Sequence, residues 1–433
     1  MKENNYNGRN GQITTQTEID SLINGAVFAD SATAQKEYRQ EIRQMALNQG
    51  IYPASIEGLY RAAGKGLYNG VTVPAINVRG ITYHVARAIF KAALKNKVGA
   101  FIFEIARSEI GYTAQKPDEY ASCILAAALR EGFKGPVFIQ GDHFQINRKR
   151  YSSDADKELN AVKEITEEAI AAGFYNIDID ASTLVDIEKD SLEEQQDKNC
   201  HITAEMTGLI RNVEPRGITI SIGGEIGEVG KSNSTVADLR AFMDGYLRLL
   251  APNATGISKI SIQTGTTHGG VVLPDGSVAR VSVDFKTLEE ISKVAKEEYG
   301  LGGAVQHGAS TLPDEAFDMF PKTDTVEVHL ATGFQNLIYG SSYFPRDLLD
   351  RIYENILDKY AGEKSPGDTR DQFIYKTRKK SFGDFKREMW TMPEENLAGI
   401  RNELENRFTS LFQKLGVVYT VDLVNKYVAR PTI

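Results

Sequence analysis

Cysteine and long apolar runs are both scarce in these 433 residues. The two cysteines, Cys123 and Cys200, show no Cys-x-x-Cys spacing, so there is no basis for a disulfide framework or a zinc knuckle, and they fit reduced cytoplasmic thiols. No stretch approaches the roughly 20 apolar residues of a membrane span. Residues 1–20 lack the apolar centre of a signal peptide, so a cytoplasmic location without membrane contact is expected. Basic charge is not in excess either: the net charge of -8 gives no global attraction for nucleic acid or an anionic surface. A nucleotide fingerprint is missing as well, because Gly230-Lys231-Ser232 has no glycine at the distance a Walker A loop needs. Internal repeats and low-complexity tracts are absent beyond an alternation of strand and helix patterns.

With 41% hydrophobic and 25% charged residues, the chain has the composition of an ordinary globular protein, and its length allows a large core. Residues 1–15, rich in Asn, Gly and Thr, read as an unstructured arm, and helical spacing follows over 18–49 with Gly50 as a stop. Apolar runs then predict eight strands, at 71–78, 100–105, 136–140, 176–179, 218–222, 257–263, 303–306 and 325–330. Helical patterns separate them at 82–95, 117–131, 154–172, 191–211, 236–250 and 287–299, with a short one near Asp314 and a last one over 334–359. Eight βα units over roughly 290 residues match an α/β fold of the (β/α)8 TIM-barrel type, with helical N- and C-terminal extensions. An open doubly wound sheet is the alternative, but it gathers its site at one crevice, whereas here polar residues end at least six strands. The expected division is an N-terminal arm with helices over 1–69, a catalytic barrel over 70–360 and a helical extension over 361–433. In that extension a basic stretch (Lys376, Arg378, Lys379, Lys380, Lys386, Arg387) precedes a helix over 393–415. Its stripe of Leu397, Ile400, Leu404, Phe408 and Leu411 is expected to pack on the barrel or a neighbouring subunit.

Chemistry-bearing residues fall at the strand ends. The run over 136–139 breaks at Gly141 into Asp142 and His143, and four of the six histidines end strands: His143, His268, His307 and His329. His84 and His201 lie on helices and read as structural. Alone, Asp142 reads as a helix cap and His143 as a surface residue. In a barrel, however, strand ends converge on one cavity, and three imidazoles with an open position are a catalytic zinc set. Asp180 and Glu225, at the next two strand ends, can orient the imidazoles or ligate a metal themselves. Glycines after His268 and His307, with Ser310 and Thr332, supply backbone N–H groups and hydroxyls for a phosphate.

In order and spacing, Asp142-His143, Ile-Asp180-Ala-Ser, Glu225-Ile-Gly, Thr-Thr-His268-Gly, Gln-His307-Gly-Ala-Ser310 and Val-His329-Leu-Ala-Thr332 resemble the class II, metal-dependent fructose-1,6-bisphosphate aldolases. The resemblance covers about residues 70–340 and, more loosely, the tail from Lys379 to Leu415. It implies one catalytic zinc on His143, His268 and His307, with Asp142 as proton donor. Glu225 and Asp180 would stand at an alternate or second position for a divalent or monovalent cation. It further implies one phosphate on Gly269, Gly308, Ser310 and Thr332 with Asn77 nearby, and a sugar bisphosphate as substrate. Lys386 or Arg387 would supply the cation for the distal phosphate, from this chain or from a partner subunit, and a homodimer or homotetramer is expected. Three departures from the family pattern stand out: His329 replaces a usual Asn, Ala331 replaces an Asp, and Gly230-Lys231-Ser232 replaces an acidic stretch that holds the base, leaving Glu228 as the nearest acid. Gly-Asp142-His143 and Ile-Asp180-Ala-Ser are also similar to tagatose-bisphosphate aldolase subunits. A non-catalytic or tagatose-specific subunit, or another metal-dependent barrel enzyme, is therefore the alternative function.

Overall fold

The computed structural model describes residues 16–227, 232–265, 272–274 and 282–430. The N-terminal arm, Glu228, Lys231, His268, Gly269 and the last three residues lie outside them. Among the described residues nine parallel strands form the sheet: β1 (Ile51–Ala54), β2 (Val73–Asn77), β3 (Ile102–Ala106), β4 (Gly135–Gln145), β5 (Asn176–Asp180), β6 (Ser221–Glu225), β7 (Lys259–Ile262), β8 (Ala304–Gln306) and β9 (Glu327–Leu330). Their order is β1-β4-β3-β2-β9-β8-β7-β6-β5, and a further β4–β5 pairing closes β2 through β9 into an eight-stranded barrel. This is the (β/α)8 TIM barrel that the hydrophobic rhythm predicts. Strands β2, β3 and β5 are buried at every position, as strands between an inner core and a shell of helices must be.

One strand escapes the rhythm. β1 has four residues, includes Pro53, and pairs on β4 in register from Ile51↔Gly135 to Ala54↔Phe138. β4 is long enough to serve two neighbours on one edge, β1 along its first half and β5 from Gln140 onward. Asn176 manages the changeover. Fully buried, it accepts from the Ile56 N–H at 2.9 Å and donates to the carbonyls of Ala54 (3.3 Å) and Ile139 (3.0 Å). It thus pairs backbone groups that the fork would otherwise orphan.

Two boundaries differ from the expected ones. β6 begins at Ser221 and runs through Gly223 and Gly224, where the sequence predicts a strand end. A Cβ on Gly223 would sit 2.2 Å from Asp178 Oδ1, so this glycine makes room for a neighbouring strand's carboxylate. The expected helix over 334–359 is two helices, Thr332–Gly340 and Arg346–Lys359, broken by the turn that precedes Pro345. The C-terminal helix Glu394–Lys414 buries Leu397, Ile400, Leu404, Phe408 and Leu411 against this chain's own barrel shell, with Phe408 on Phe334 (ring centroids 4.8 Å) and Phe412 on Phe101 (5.8 Å). No helix among the described residues is long and apolar enough to cross a membrane.

Replacing Asn176 with Ala strands three buried backbone groups at the barrel fork. The expected loss is about 2–4 kcal/mol in urea unfolding, with the native fold kept.

Candidate active site

A cavity of about 960 Å³ opens at the C-terminal ends of the strands, where sites of this architecture are built. Its lining includes Asn77, Asp142, His143, His307, Gly308, Ser310, His329 and Thr332.

Asp142 and His143 reach it by a different route from the expected one. Alternation along a strand would send consecutive side chains to opposite faces, and a strand end at Gly141 is the remedy that the sequence suggests. Instead β4 continues to Gln145, and its register against β5 slips between Gly141 and Phe144. His143 itself takes the positive φ, 41°, and this bulge turns both side chains toward the cavity. Gly141 contributes in another way: the Phe144 ring lies where its Cβ would be, 2.5 Å away.

Around His143 stand the two acids expected beside it. Its Nδ1 is 3.0 Å from Asp180 Oδ2 and 3.2 Å from Glu225 Oε2. Asp180 also accepts from Gln145 Nε2 (2.5 Å) and the Ser182 hydroxyl (2.6 Å). Burial would raise the Asp180 pKa, but hydrogen bonding and charge from His143, helped by Ser182 and Gln145, bring it below the usual value. Glu225 is pushed up to about 7, by burial first and then by the Asp180 charge. Three imidazoles line up across the floor, with ring centroids 4.3 Å apart for His143–His307 and 3.9 Å for His307–His329. The Ser261 hydroxyl sits 3.0 Å from His307 Nε2.

Sequence reasoning missed a layer of ionisable groups below: Glu104, Asp178, Lys259 and Glu327, all on strands and all buried. The available signal is a charge flanked by apolar residues, as in Ile-Phe-Glu104-Ile, Ile-Asp178-Ile and Val-Glu327-Val. Burial, then the Asp142 charge, pushes Glu104 up to about 8, and burial pushes Asp178 up to about 6. Glu327 goes the other way, to about 2: burial opposes ionisation, and Lys259 with His329 overcomes it. Lys259 is held protonated by Asp178 and Glu327 against its burial and does not line the cavity, so it is not a Schiff-base nucleophile.

These residues suit a cation. Asp142/His307/His329 and His143/Glu225/His307 are each grouped so that one ligand atom per residue lies within 4.8 Å of the others. Burial first, then neighbouring carboxylates, hold Glu104 and Glu225 above the usual range, and a bound cation would relieve both. Carboxylate oxygens stand 2.8 Å from His329 Nδ1 (Glu104) and 2.7 Å from its Nε2 (Glu327), at ion-pair distance but outside hydrogen-bonding geometry. A mixed imidazole and carboxylate donor set of this kind fits a divalent ion such as zinc.

The mouth of the cavity is basic. Arg79, Arg107, Arg150, Lys376 and Lys379 all line it. Arg79 is clamped by Glu109 (Nε to Oε1, 2.7 Å) and Gln335 (Nη1 to Oε1, 3.2 Å). The same Glu109 accepts from Asn77 Nδ2 (2.6 Å) and the Ala106 N–H (2.9 Å). Lys379 lies over the Tyr112 ring at 5.7 Å, and burial together with the Arg79 charge lowers its pKa. The structure does not bring Lys386 and Arg387 here. Lys386 is bound to Glu119 (2.5 Å) and the Ala114 carbonyl (2.7 Å), while Arg387 stacks on Phe28 at 4.5 Å, both on the outer helical shell. Lys379 reaches the cavity because the helix Arg370–Thr377 before it is pinned over the barrel mouth, through Thr369 to Pro274 O (2.8 Å) and Gln372 to Val272 O (2.9 Å).

A family model described as fructose-bisphosphate aldolase class-II matches residues 58–389. The chain belongs to the class II fructose-bisphosphate aldolase family, a family of lyases. This family member is similar to a fructose-bisphosphate aldolase of Giardia intestinalis (strain ATCC 50803 / WB clone C6), 24% identical over 251 residues, which is 58% of this chain. The match spans 64% of that relative's length, less than two thirds. Solved structures share the fold: the YdjI aldolase from Escherichia coli K12, at 14% identity over 84% of this chain and 98% of that one, has a TM-score of 0.51. A probable tagatose 6 phosphate kinase from Sinorhizobium meliloti 1021 gives 14%, 82%, 98% and 0.53. Fructose-bisphosphate aldolase from Campylobacter jejuni gives 17%, 86%, 96% and 0.51. At such identities the likeness speaks for fold alone.

Glu109 ties Asn77, Arg79 and the turn after β3 together, so its charge supports the rim of this site. Burial opposes ionisation of its carboxyl, but Arg79, the Ala106 N–H and Asn77 outweigh it and lower the pKa. A lowered carboxyl stabilises the fold above the ordinary carboxylate range and loses that contribution as pH falls through the folded value. Glu109→Gln is therefore expected to cost about 1–3 kcal/mol at pH 7. Measured by thermal unfolding from pH 7 to 3, the gap between parent and variant should close at the acid end.

Proposed function

We propose that this chain is a metal-dependent aldolase that reversibly cleaves a ketose 1,6-bisphosphate, with fructose 1,6-bisphosphate the first substrate to test, into dihydroxyacetone phosphate and an aldehyde phosphate. Membership of the family supports the reaction class. The observation that carries the reading is the β4 bulge, which turns Asp142 and His143 into one cavity beside His307. His143, His268 and His307 are the proposed ligands of one zinc ion, with Glu225 and Asp180 able to take an alternate or second cation. The chemistry zinc supplies there is Lewis acidity toward the oxygens that gain negative charge when the C3–C4 bond breaks.

The remaining steps belong to side chains of this protein. Asp142 accepts the proton of the C4 hydroxyl during cleavage and returns it to the aldehyde oxygen during condensation. Asp180 and Glu225 hold the His143 ring in place through Nδ1. Gly308, Ser310 and Thr332, with Gly269, are the proposed seat of one phosphate. For the other phosphate, Lys379 and Arg79 beside Asn77 replace Lys386 and Arg387, because the first pair lines the cavity and the second does not. His329 closes the floor between these groups. The expected setting is the cytoplasm, as a homodimer or homotetramer.

Cleavage of fructose and tagatose 1,6-bisphosphates, assayed with and without a chelator, tests the proposal. Activity on one of them that disappears with the metal is expected, and Asp142→Ala should keep the metal while losing about 10²- to 10⁴-fold in rate. No turnover of any ketose bisphosphate by the metal-loaded chain would refute it.

Lys379→Met is expected to raise KM for the bisphosphate about 10- to 100-fold, roughly 1.4–2.7 kcal/mol, while barely changing inhibition by dihydroxyacetone phosphate. Equal weakening of both would place Lys379 away from the distal phosphate.

A further inference from the structure

Lys259 lies beneath the cavity, 1% exposed, and nothing in the proposed reaction uses it. Its ammonium is 2.5 Å from Glu327 Oε1, 2.9 Å from Asp178 Oδ1 and 2.8 Å from Gln140 Oε1. A buried ion pair of this kind is a poor way to gain stability, since apolar side chains of the same volume serve as well or better. Its geometric effect is more specific. Glu327 and His329 are two residues apart on β9 and so point the same way, one layer above the other. Glu327 Oε1, held by Lys259 and by Gln140 Nε2 at 3.0 Å, stands 2.7 Å from His329 Nε2. Its other oxygen takes the Tyr60 hydroxyl, so the carboxylate cannot rotate away. At the far side of the ring, His329 Nδ1 is 3.3 Å from Asp142 Oδ1 and 2.8 Å from Glu104 Oε2. A continuous file of polar contacts therefore runs from β7 through β9 to the end of β4, from a group sealed off from substrate to the proposed proton carrier.

We propose that Lys259 is a positioning residue for the reaction: its ammonium fixes Glu327, Glu327 fixes the His329 ring, and the ring holds the Asp142 carboxylate in place at the cavity floor. This rests on the aldolase reading, in which Asp142 moves the C4 proton. A side chain that cannot touch substrate then controls turnover and leaves affinity alone.

Three variants separate positioning from plain stability: Lys259→Met, Glu327→Gln and the double substitution Lys259→Met/Glu327→Gln. The single lysine variant leaves Glu327 and Asp178 buried without their cation and should lower Tm by several degrees. The double variant removes a charge of each sign and leaves only Asp178 without its cation, so its Tm should return part of the way to that of the parent. Its kcat should not return, remaining about 10- to 100-fold below the parent with KM within about threefold, because a neutral amide no longer holds the ring as an anion does. Recovery of kcat together with Tm would reduce Lys259 to a structural residue and overturn the proposal. Should Lys259→Met fail to fold, Glu327→Gln keeps Lys259 paired with Asp178 and must show the same loss of kcat. A readout without turnover separates failure of this idea from failure of the aldolase reading. In ¹⁵N-histidine spectra the His329 ring signals should shift in Glu327→Gln and in the double variant, because the carboxylate at ion-pair distance from Nε2 is gone. Unchanged His329 signals in both would show that Glu327 does not hold the ring, whatever the chain catalyses.

Discussion

The interior of this barrel is charged, and the rest of the site depends on that constraint. A parallel barrel of this type usually fills its centre with layers of branched apolar side chains. Here the inward positions of β3, β4, β5, β7 and β9 carry Glu104, Gln140, Asp178, Lys259 and Glu327, with Asp142, Asp180 and His329 above them. Removing so many carboxyls from water is tolerable only if each is protonated, hydrogen-bonded or faced by a cation. The structure uses all three remedies: Glu104 is held up at about 8, Asp180 is wrapped by donors, and Glu327 is down at about 2 beside Lys259. In the upper layer His143, His307, Glu225 and Asp142 gather their donor atoms close enough to hold a cation. Suitability for a cation is in this sense a property of the whole inner layer, of which these grouped donors are the accessible part.

Backbone economy at β4 is the second device. One strand of eleven residues pairs with β3 on one side and with β1 and then β5 on the other, and it must also aim two consecutive side chains into one cavity. A regular strand could do the first and not the second. The bulge at His143 reconciles them, placing a non-glycine residue at positive φ where the Phe144 ring crowds Gly141. That conformation is costly for an imidazole-bearing residue. Its persistence is explained by the surroundings that over-determine it: Asp180 and Glu225 on one side of the ring, His307 on another, and the β4–β5 ladder resuming at Phe144↔Ile179.

Most of the barrel is legible in the sequence because strands buried on both faces read as apolar runs, and their count and spacing suffice for the architecture. β1 is not, since Ile-Tyr-Pro-Ala is short and proline argues against a strand unless its N–H is unneeded. The end of β6 is misplaced because Gly223-Gly224 reads as a turn, while the demand for glycine comes from Asp178 on another strand. At the site, residues at strand ends announce themselves, and Asp142, His143, Asp180, Glu225, His307 and His329 do converge. Glu104, Asp178, Lys259 and Glu327 are harder to read, because each stands before the C-terminal end of its strand and only the closed barrel shows that they face one another. Lys386 and Arg387 stand away from this chain's cavity for the opposite reason. A basic run shows that charge is present but not which turn of an irregular helical segment faces inward, and the contacts of Glu119 and Phe28 decide that.

The placement of charge along the cavity axis also bears on what can bind. Acids and imidazoles occupy the floor, while Arg79, Arg107, Arg150, Lys376 and Lys379 ring the mouth. The two zones are kept apart by local pairing: Glu109 takes Arg79 Nε, and Glu158 with the Gln145 carbonyl takes Arg107 Nη1 at 2.5 and 2.7 Å. Lys379 is different. Among the described residues no carboxylate lies within ion-pairing distance of it, and both burial and Arg79 disfavour its charge. An ammonium crowded by a guanidinium and backed by the Tyr112 ring gains most from an anion delivered by a ligand. A molecule that is anionic at the mouth and offers neutral, oxygen-rich carbon to the floor satisfies both zones at once, whereas one carrying its negative charge deep among the carboxyls is repelled. That polarity, set by strand-end acids below and by a lysine of the C-terminal extension above, would orient the phosphosugar proposed as substrate, with its phosphate at the mouth and its carbon chain toward the floor.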